Sequence, residues 1–379
     1  MNLSLNRKSK PRIEAILTER VLVPTKPQWI VTGGRGTHDR SPFLLLRLKC
    51  EGIEGLGEVS GTYGWSGEGY DTADAAIQHV LVPALIGTEL CPRAVRHLMD
   101  RVLAGFPFTK AGIEIACWDA LGKALNASVA TLLGGPIRDR VLTKFSISGR
   151  EPDQAAAIAK QAWAIGFRKF KVKVGTGIAK DIARLKAVRG AIGEGVSLGV
   201  DANGGWSLGE ARRILPALEE FNISMIEQPL KERELHQTAQ LRAHSNIPIL
   251  LDESVWNAAD VALAAQLGAA DAVNIYVGKA GGILPALEAV QCAKAHGLGA
   301  TMGSNQELGI AHSAVMQVLA AGDGFDLETY PPDAASPLYY VEDVTEPAFC
   351  LENGEVKVPT GPGLGVTLNE RILKKYRVT

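Results

Sequence analysis

Two rhythms of apolar and polar positions divide the chain. Residues 13–60 alternate in the manner of strands. IEAILTERVLV and FLLLRLKCEG are two such runs, joined by the polar stretch KPQWIVTGGRGTHDRS. Strand-like GLGEVS and the aromatic, glycine-rich GTYGWSGEGY (61–70) follow. Helical spacing then takes over in DTADAAIQHVLVPALIG, which opens on Asp and Thr as caps, in AVRHLMDRVLA, and in KAGIEIACWDALGKA from Lys110. Strands followed by a block of helices predict a self-contained α+β unit.

From about Leu142 the pattern becomes strand–helix alternation. FSISG (145–149), KFKVKVG, VSLGVDAN (196–203), ISMIEQP (223–229), IPILLDES (247–254), DAVNIYVG (271–278) and GATMG (299–303) each precede a helical stretch. FDLE (325–328) closes the series as an eighth strand. The predicted fold is therefore α/β, a (β/α)7β modified TIM barrel with right-handed crossovers and an N-terminal α+β capping domain. The expected division is 1–135 for the capping domain, 136–343 for the barrel and 344–379 for a C-terminal segment. That last segment, turn-rich in ENGEVKVPTGPGLGV, is expected to return to the first domain.

Three of the predicted strands end on an acid: Asp201, Glu227 and Asp252, spaced 26 and 25 residues apart. That interval is about one strand plus a returning helix, so the carboxylates are expected to converge at the top of the barrel. Three hard oxygen ligands suit Mg2+, with Mn2+ as a substitute. One strand earlier, Lys171 and Lys173 share a face because side chains alternate along a strand.

Composition narrows the classes. A net charge of −1 gives no case for nucleic acid or an anionic membrane surface, and no apolar run approaches the roughly 18–20 residues of a spanning helix. The stretch MNLSLNRKSKPRIEA lacks the apolar core of a signal peptide. Cys50, Cys91, Cys117, Cys292 and Cys350 are an odd, scattered set without CxxC spacing, which fits reduced thiols. A cytoplasmic location follows as the expectation.

The chain resembles the enolase superfamily, in its mandelate racemase/muconate lactonizing enzyme branch. GIEIACWDALGKALNASVATLLGG (112–135) is similar to that family's capping-domain signature. The Lys-x-Lys strand and the Asp, Glu, Asp series follow in the family's order. The resemblance implies abstraction of a proton α to the carboxylate of a small-molecule substrate, a Mg2+-stabilised enediolate, and substrate selection by capping-domain loops. Assembly of copies through the outer helices, as a homo-oligomer, is also expected.

The residue types suit that chemistry. A metal on the carboxylate oxygens offsets the second charge of the enediolate. A neighbouring cation and the metal both disfavour a charged Lys173, so its pKa is expected to fall and to make it the base. Lys171 is its tuner and a carboxylate contact. Asn203 is a candidate metal neighbour or substrate contact, or a turn cap; Glu253 pairs with a lysine in the cup or forms a buried ion pair. Glu328 is a candidate substrate contact. Trp29, Tyr63 and Trp65 are expected either to close over the barrel mouth or to pack between the domains.

The sixth strand departs from the family pattern. Family members that work from both substrate faces carry a lysine at its end. The spacing here lands on Tyr276, with Lys279 three residues further on. A phenol of ordinary pKa near 10 is a poor base at neutral pH. No histidine follows the seventh strand in MGSNQE, and His312 falls inside the next helix as a packing or surface residue. One-base syn β-elimination or cycloisomerisation is therefore expected. The alternatives are a racemase or epimerase using Tyr276 or Lys279, and a metal-binding protein without turnover. A sugar-phosphate barrel ranks below both, for want of a glycine-rich cup.

Overall fold

The computed structural model describes residues 11–33 and 36–378; the stretch before Pro11 lies outside them. The N-terminal apolar runs pair as an antiparallel sheet of β1 (Ile13–Pro24), β2 (Arg40–Cys50) and β3 (Ile53–Val59), in that order. Alternation sends Ile16, Leu44, Leu46 and Leu48 into one apolar cluster and Val21, Val23, Phe43 and Leu45 into another. α1 (Tyr70–Ala76), α2 (Pro92–Val102) and α3 (Pro107–Leu125) pack with this sheet. α3 lies so close that a Cβ on Gly55 would stand 2.0 Å from the Ala116 carbonyl oxygen. Only glycine lets the backbones approach in this way.

The alternating part forms a parallel sheet whose seven strands follow chain order. They are β4 (Phe145–Ile147), β5 (Lys169–Lys173), β6 (Ser197–Asp201), β7 (Ile226–Glu227), β8 (Ile249–Leu251), β9 (Ala272–Ile275) and β10 (Gly299–Met302). The returning helices are α4 (Pro152–Ala164), α5 (Ile178–Ile192), α6 (Leu208–Glu220), α7 (Leu235–Arg242), α8 (Ala258–Gln266), α9 (Ile283–Ala295) and α10 (Gly309–Ala321). Helices on one face and packed side chains on the other explain why these strands read as nearly continuous apolar runs.

The eighth position differs from the expected strand. FDLE runs into a turn over residues 327–329, and Glu328 is exposed there. Closure is made instead by the irregular segment 326–334. Asp326 N donates to Ala300 O at 2.9 Å and Asp333 N to Met302 O at 2.9 Å on one side; Lys144 N donates to Pro332 O at 3.0 Å on the other. Pro331 and Pro332 have no N–H to give a ladder, so the segment bridges both neighbours without becoming a regular strand. The barrel remains (β/α)7β, its last member irregular.

The C-terminal stretch does return to the first sheet. Val378 N donates to Arg20 O at 3.0 Å, and Glu355–Lys357 pairs antiparallel with Arg140–Leu142. Buried Asp119 of α3 accepts Leu56 N and Leu364 N, both at 2.8 Å, which ties both ends of the chain to one carboxylate. Two further buried acids join the sheet-and-helix unit to the barrel. Glu58 of β3 accepts Leu308 N at 2.7 Å and Ala311 N at 3.0 Å, at the start of α10. Glu114 of α3 accepts Ile283 N at 2.8 Å and Leu284 N at 3.1 Å, at the start of α9, and the Trp118 indole at 3.0 Å. Helix starts leave amides without intrahelical partners, and here carboxylates from another unit supply them.

Glu114→Ala strips these amides and the indole of their acceptor. A loss of about 3 kcal/mol in urea unfolding is expected, since each buried donor left unpaired costs about 1–3 kcal/mol. His312 carries a second prediction. It is fully buried in α10 against the Phe349 ring, and among the described residues neither ring nitrogen has a hydrogen-bond partner. Burial depresses its imidazole to about 3, so it resists protonation only while folded. Stability from this group is present above its unfolded pKa near 6.5 and is lost as pH falls toward 3. His312→Leu is expected to raise the melting temperature, with a gain larger at pH 5 than at pH 8; a gain independent of pH contradicts this account.

Candidate active site

Parallel register places the chemistry-bearing side chains side by side. Lys173 pairs with Asp201 across β5 and β6, and Asp201 with Glu227 across β6 and β7. Asp252 follows β8 by one residue, and Tyr276 follows β9 by one. Phe170 and Val172 point into apolar packing, so Lys171 and Lys173 point the other way, into the cup. Gln228 ties the middle of this row together. Its backbone is left-handed at φ 35°, and its side chain accepts Asp252 N at 3.0 Å and donates to Leu230 O at 2.8 Å. A strained, buried glutamine thus fixes where Asp252 begins its turn.

The acids are buried and each faces a cation. Lys171 Nζ donates to Glu227 Oε1 and Oε2 at 2.9 and 3.0 Å, with Asp333 Oδ2 at 3.3 Å and Asp201 Oδ2 at 3.5 Å. Lys173 Nζ donates to Asp201 Oδ2 at 2.7 Å and Asn203 Oδ1 at 2.9 Å. Lys279 Nζ is held by Asp252 Oδ1 at 2.7 Å and by the carbonyls of Asp252 and Asn274, both at 2.8 Å. Tyr276 OH donates to Asp252 Oδ2 at 2.9 Å.

These pairings set the protonation states. Burial works against the Lys171 ammonium, but Asp333, Glu227 and Asp201 outweigh it and hold its pKa well above the usual value. Lys173 also moves upward: burial opposes its charge, and the Asp201 carboxylate prevails over both burial and Lys171. The rise has a geometric cause: with no cation on Asp201, the nearest charge is an anion 2.7 Å away. Burial pushes Glu227 up to about 8; Lys171 pulls it down, while Asp201 and Asp252 add to the rise. Burial and then Asp252 push the Tyr276 phenol well above its usual range.

The donor set fits a hard divalent cation. Three buried carboxylates stand at adjacent strand ends, and Glu227 feels the charge of both others. Among the described residues no three acidic, histidine or cysteine side chains form a ready-made metal cluster, because each acid is turned to an ammonium or the phenol. Asp201, Glu227 and Asp252 would hold the cation, and the lysine ammoniums are the charges it would replace.

Above the row lies a cavity with about 130 Å³ of space open to water, lined by Lys144, Ser146, Lys171, Lys173, Asn203 and Tyr276 below. At roughly 10–15 Å³ per water on this measure, it accommodates a small molecule and not a polymer. Of the three predicted aromatics, Trp65 reaches it. The Trp65 ring stacks on Tyr276 at 5.4 Å and 9°, with Phe108 and Trp256 against its edge and face. Trp29 instead packs on Phe145 at 5.4 Å and on Tyr339 at 5.8 Å, between the domains, and Tyr63 is exposed away from the cavity.

Other expectations also sort by position. Asn203 bridges Lys173 and Glu253 Oε1, the latter at 2.8 Å. Glu328 does not line the cavity. Lys279 lies fully buried beneath the Tyr276 ring, 4.4 Å from its centroid, and its bonds to Asp252 remove it from the second face. Two charged residues escaped the sequence reading. Lys144 Nζ donates to Pro331 O at 2.6 Å and sits 3.0 Å from Asp333 Oδ2, and Ser146 Oγ donates to Asp333 Oδ1 at 3.1 Å. Lys144 and Ser146 alternate on one strand face as Lys171 and Lys173 do, a usable signal; Asp333 follows two prolines and carried none.

Comparison with known proteins agrees with this fold. Residues 13–134 match the mandelate racemase / muconate lactonizing enzyme N-terminal domain, and residues 154–372 match the enolase C-terminal domain-like family. The N-succinylamino acid racemase of an Amycolatopsis species is 36% identical over 87% of this chain and 89% of its own. The N-succinyl-L-Arg/Lys racemase of Bacillus cereus is 29% identical over 97% of this chain and 98% of its own. The crystal structure of muconate lactonizing enzyme from Pseudomonas fluorescens complexed with muconolactone superposes with a TM-score of 0.93, at 30% identity, covering 97% of this chain and 100% of that one. With both halves matched and the barrel's acids and lysines in register, the chain belongs to the mandelate racemase/muconate lactonizing enzyme family of the enolase superfamily.

Proposed function

We propose that this enzyme abstracts the α-proton of a small carboxylate with Lys173 and completes a one-base reaction, syn β-elimination or cycloisomerisation. Members of its family use a divalent metal, and Mg2+ at Asp201, Glu227 and Asp252 is the reading the donor set favours. A bound Mg2+ supplies Lewis-acid neutralisation of the charge that develops on the substrate carboxylate. Lys171 meets the same charge from the protein side. Lys173, with Asn203 fixing its direction, faces the α-carbon, takes the proton and can return it to a leaving group on that face.

The observation that carries this reading is the state of the second face. Tyr276 OH donates a hydrogen bond to Asp252, its ring stacks on Trp65 with the Lys279 ammonium 4.4 Å from its centroid, and burial and Asp252 keep it protonated. Lys279 is fully buried and also bonded to the backbone carbonyls of Asp252 and Asn274, contacts that a cation on the Asp252 carboxylate would leave in place. Neither is poised as a base. The racemase relatives favour a second reading, a two-base epimerase acting on an N-acylated amino acid.

Proton NMR in D2O with Mg2+ and pools of candidate carboxylates separates them. Loss of the α-proton signal with a new alkene or lactone is expected. Lys173→Ala should lower the rate about 10²–10⁴-fold, the usual weight of a general base. Tyr276→Phe should retain the rate within about tenfold, the loss of one hydrogen bond of about 1 kcal/mol. Deuterium entering both stereoisomers, and vanishing in Tyr276→Phe, would make the enzyme an epimerase. A wild type that catalyses no exchange with any pool would point to a metal-binding protein without turnover.

A further inference from the structure

Lys171 has four carboxylate oxygens around its ammonium and three protons to give. Three of those oxygens, two on Glu227 and one on Asp201, belong to acids that a divalent cation would claim. Asp333 Oδ2, at 3.3 Å, is the remaining one and belongs to none of them. It comes from the segment that closes the barrel, and the fold holds it firmly. Ser146 fixes Oδ1 at 3.1 Å, the fully buried Lys144 stands 3.0 Å from Oδ2, and Asp333 N is bonded to β10. Lys144 also binds Pro331 O, so Asp333 keeps a cation beside it whichever way Lys171 turns. A buried ammonium stripped of its anions is strongly disfavoured, and a cation arriving at Asp201 and Glu227 would do that to Lys171 unless another acceptor waits within reach.

We propose that Asp333 is that acceptor: a positioning residue that receives the Lys171 ammonium when Asp201 and Glu227 turn to a divalent cation. The inference rests on the metal reading given above. Asp333 acts through Lys171, from a place on the cavity wall. Its place in the sequence, past Pro331 and Pro332, gives the irregular closing segment a task that a regular eighth strand would not serve. The same move keeps a positive charge within the cup beside Lys173 after Asp201 has been drawn to the cation. It thereby preserves the neighbour that disfavours a charged base.

Two measurements on the full chain test this. In a crystal structure with Mn2+ bound, Lys171 Nζ should lie within about 3.0 Å of Asp333, as charge-assisted bonds do, and further from Glu227 than from Asp333. Lys171 still bidentate on Glu227 beside a bound Mn2+ overturns the proposal. In calorimetry with Mn2+ alone, Asp333→Asn should weaken binding about tenfold, yet by less than about twofold in a Lys171→Met background, because coupled residues are not additive. Equal losses in both backgrounds assign Asp333 a through-space charge effect and overturn the proposal while leaving the metal reading intact. A wild type that binds no Mn2+ overturns both. Far-UV circular dichroism identifies any variant that has not folded, and the wild-type Mn2+ structure decides the matter without one.

Discussion

The pairing of charges in one tight cluster governs this molecule. Asp201, Glu227, Asp252 and Asp333 meet Lys144, Lys171, Lys173 and Lys279 at the barrel mouth, where little water can solvate any of them. Charges so placed persist only when paired and hydrogen-bonded, so each position constrains its neighbours. The consequence is visible at Lys173. Its amine carries a raised pKa while Asp201 is its closest partner, and the base role proposed for it would require that carboxylate to be drawn elsewhere. Protonation state and ion occupancy are therefore one problem in this cup, not two.

The sixth strand shows how a single residue changes what such a cup can do. A phenol at position 276 cannot accept a proton while it donates to Asp252, yet its flat ring offers a surface that an ammonium does not. Trp65 takes that surface, in parallel contact, and the Lys279 ammonium stands 4.4 Å from the Tyr276 centroid and 5.9 Å from that of Trp65. The first-domain loop is thus seated on the barrel by an aromatic stack, and the face opposite Lys173 is shielded by rings. Tyr276 anchors the Trp65 loop through its ring.

The seam around the cup is built from carboxylates as well. Glu58 and Glu114 reach from the first domain to the starts of α10 and α9, whose amides lie at the end of the barrel where the cavity opens. Burial pushes these two acids up to about 8 and about 7 respectively, with the amide donors pulling against it. A loop that selects substrate must return to one position relative to the strand ends. Bonds to fixed backbone amides secure that more rigidly than apolar contact alone.

How much of this was legible in the sequence depends on whether the signal was local. The 25- and 26-residue spacing of Asp201, Glu227 and Asp252, the alternation of Lys171 and Lys173, and Tyr276 at the next interval are properties of strand period and unit length. They survive any detail of packing, so the sequence by itself determined the barrel, the row of acids and the phenol at the next strand end. The positions of Trp29, Tyr63 and Trp65 did not follow, because three aromatics in loops carry no period and their partners, Tyr339 and Tyr276, lie hundreds of residues away. Glu328 and Asp333 exchanged importance for a related reason. Two prolines deny the eighth position its ladder, the chain takes an irregular path, and a different acid arrives in the cup. Tertiary structure alone decided which charge stands nearest Lys173, and that is an acid 28 residues further along the chain.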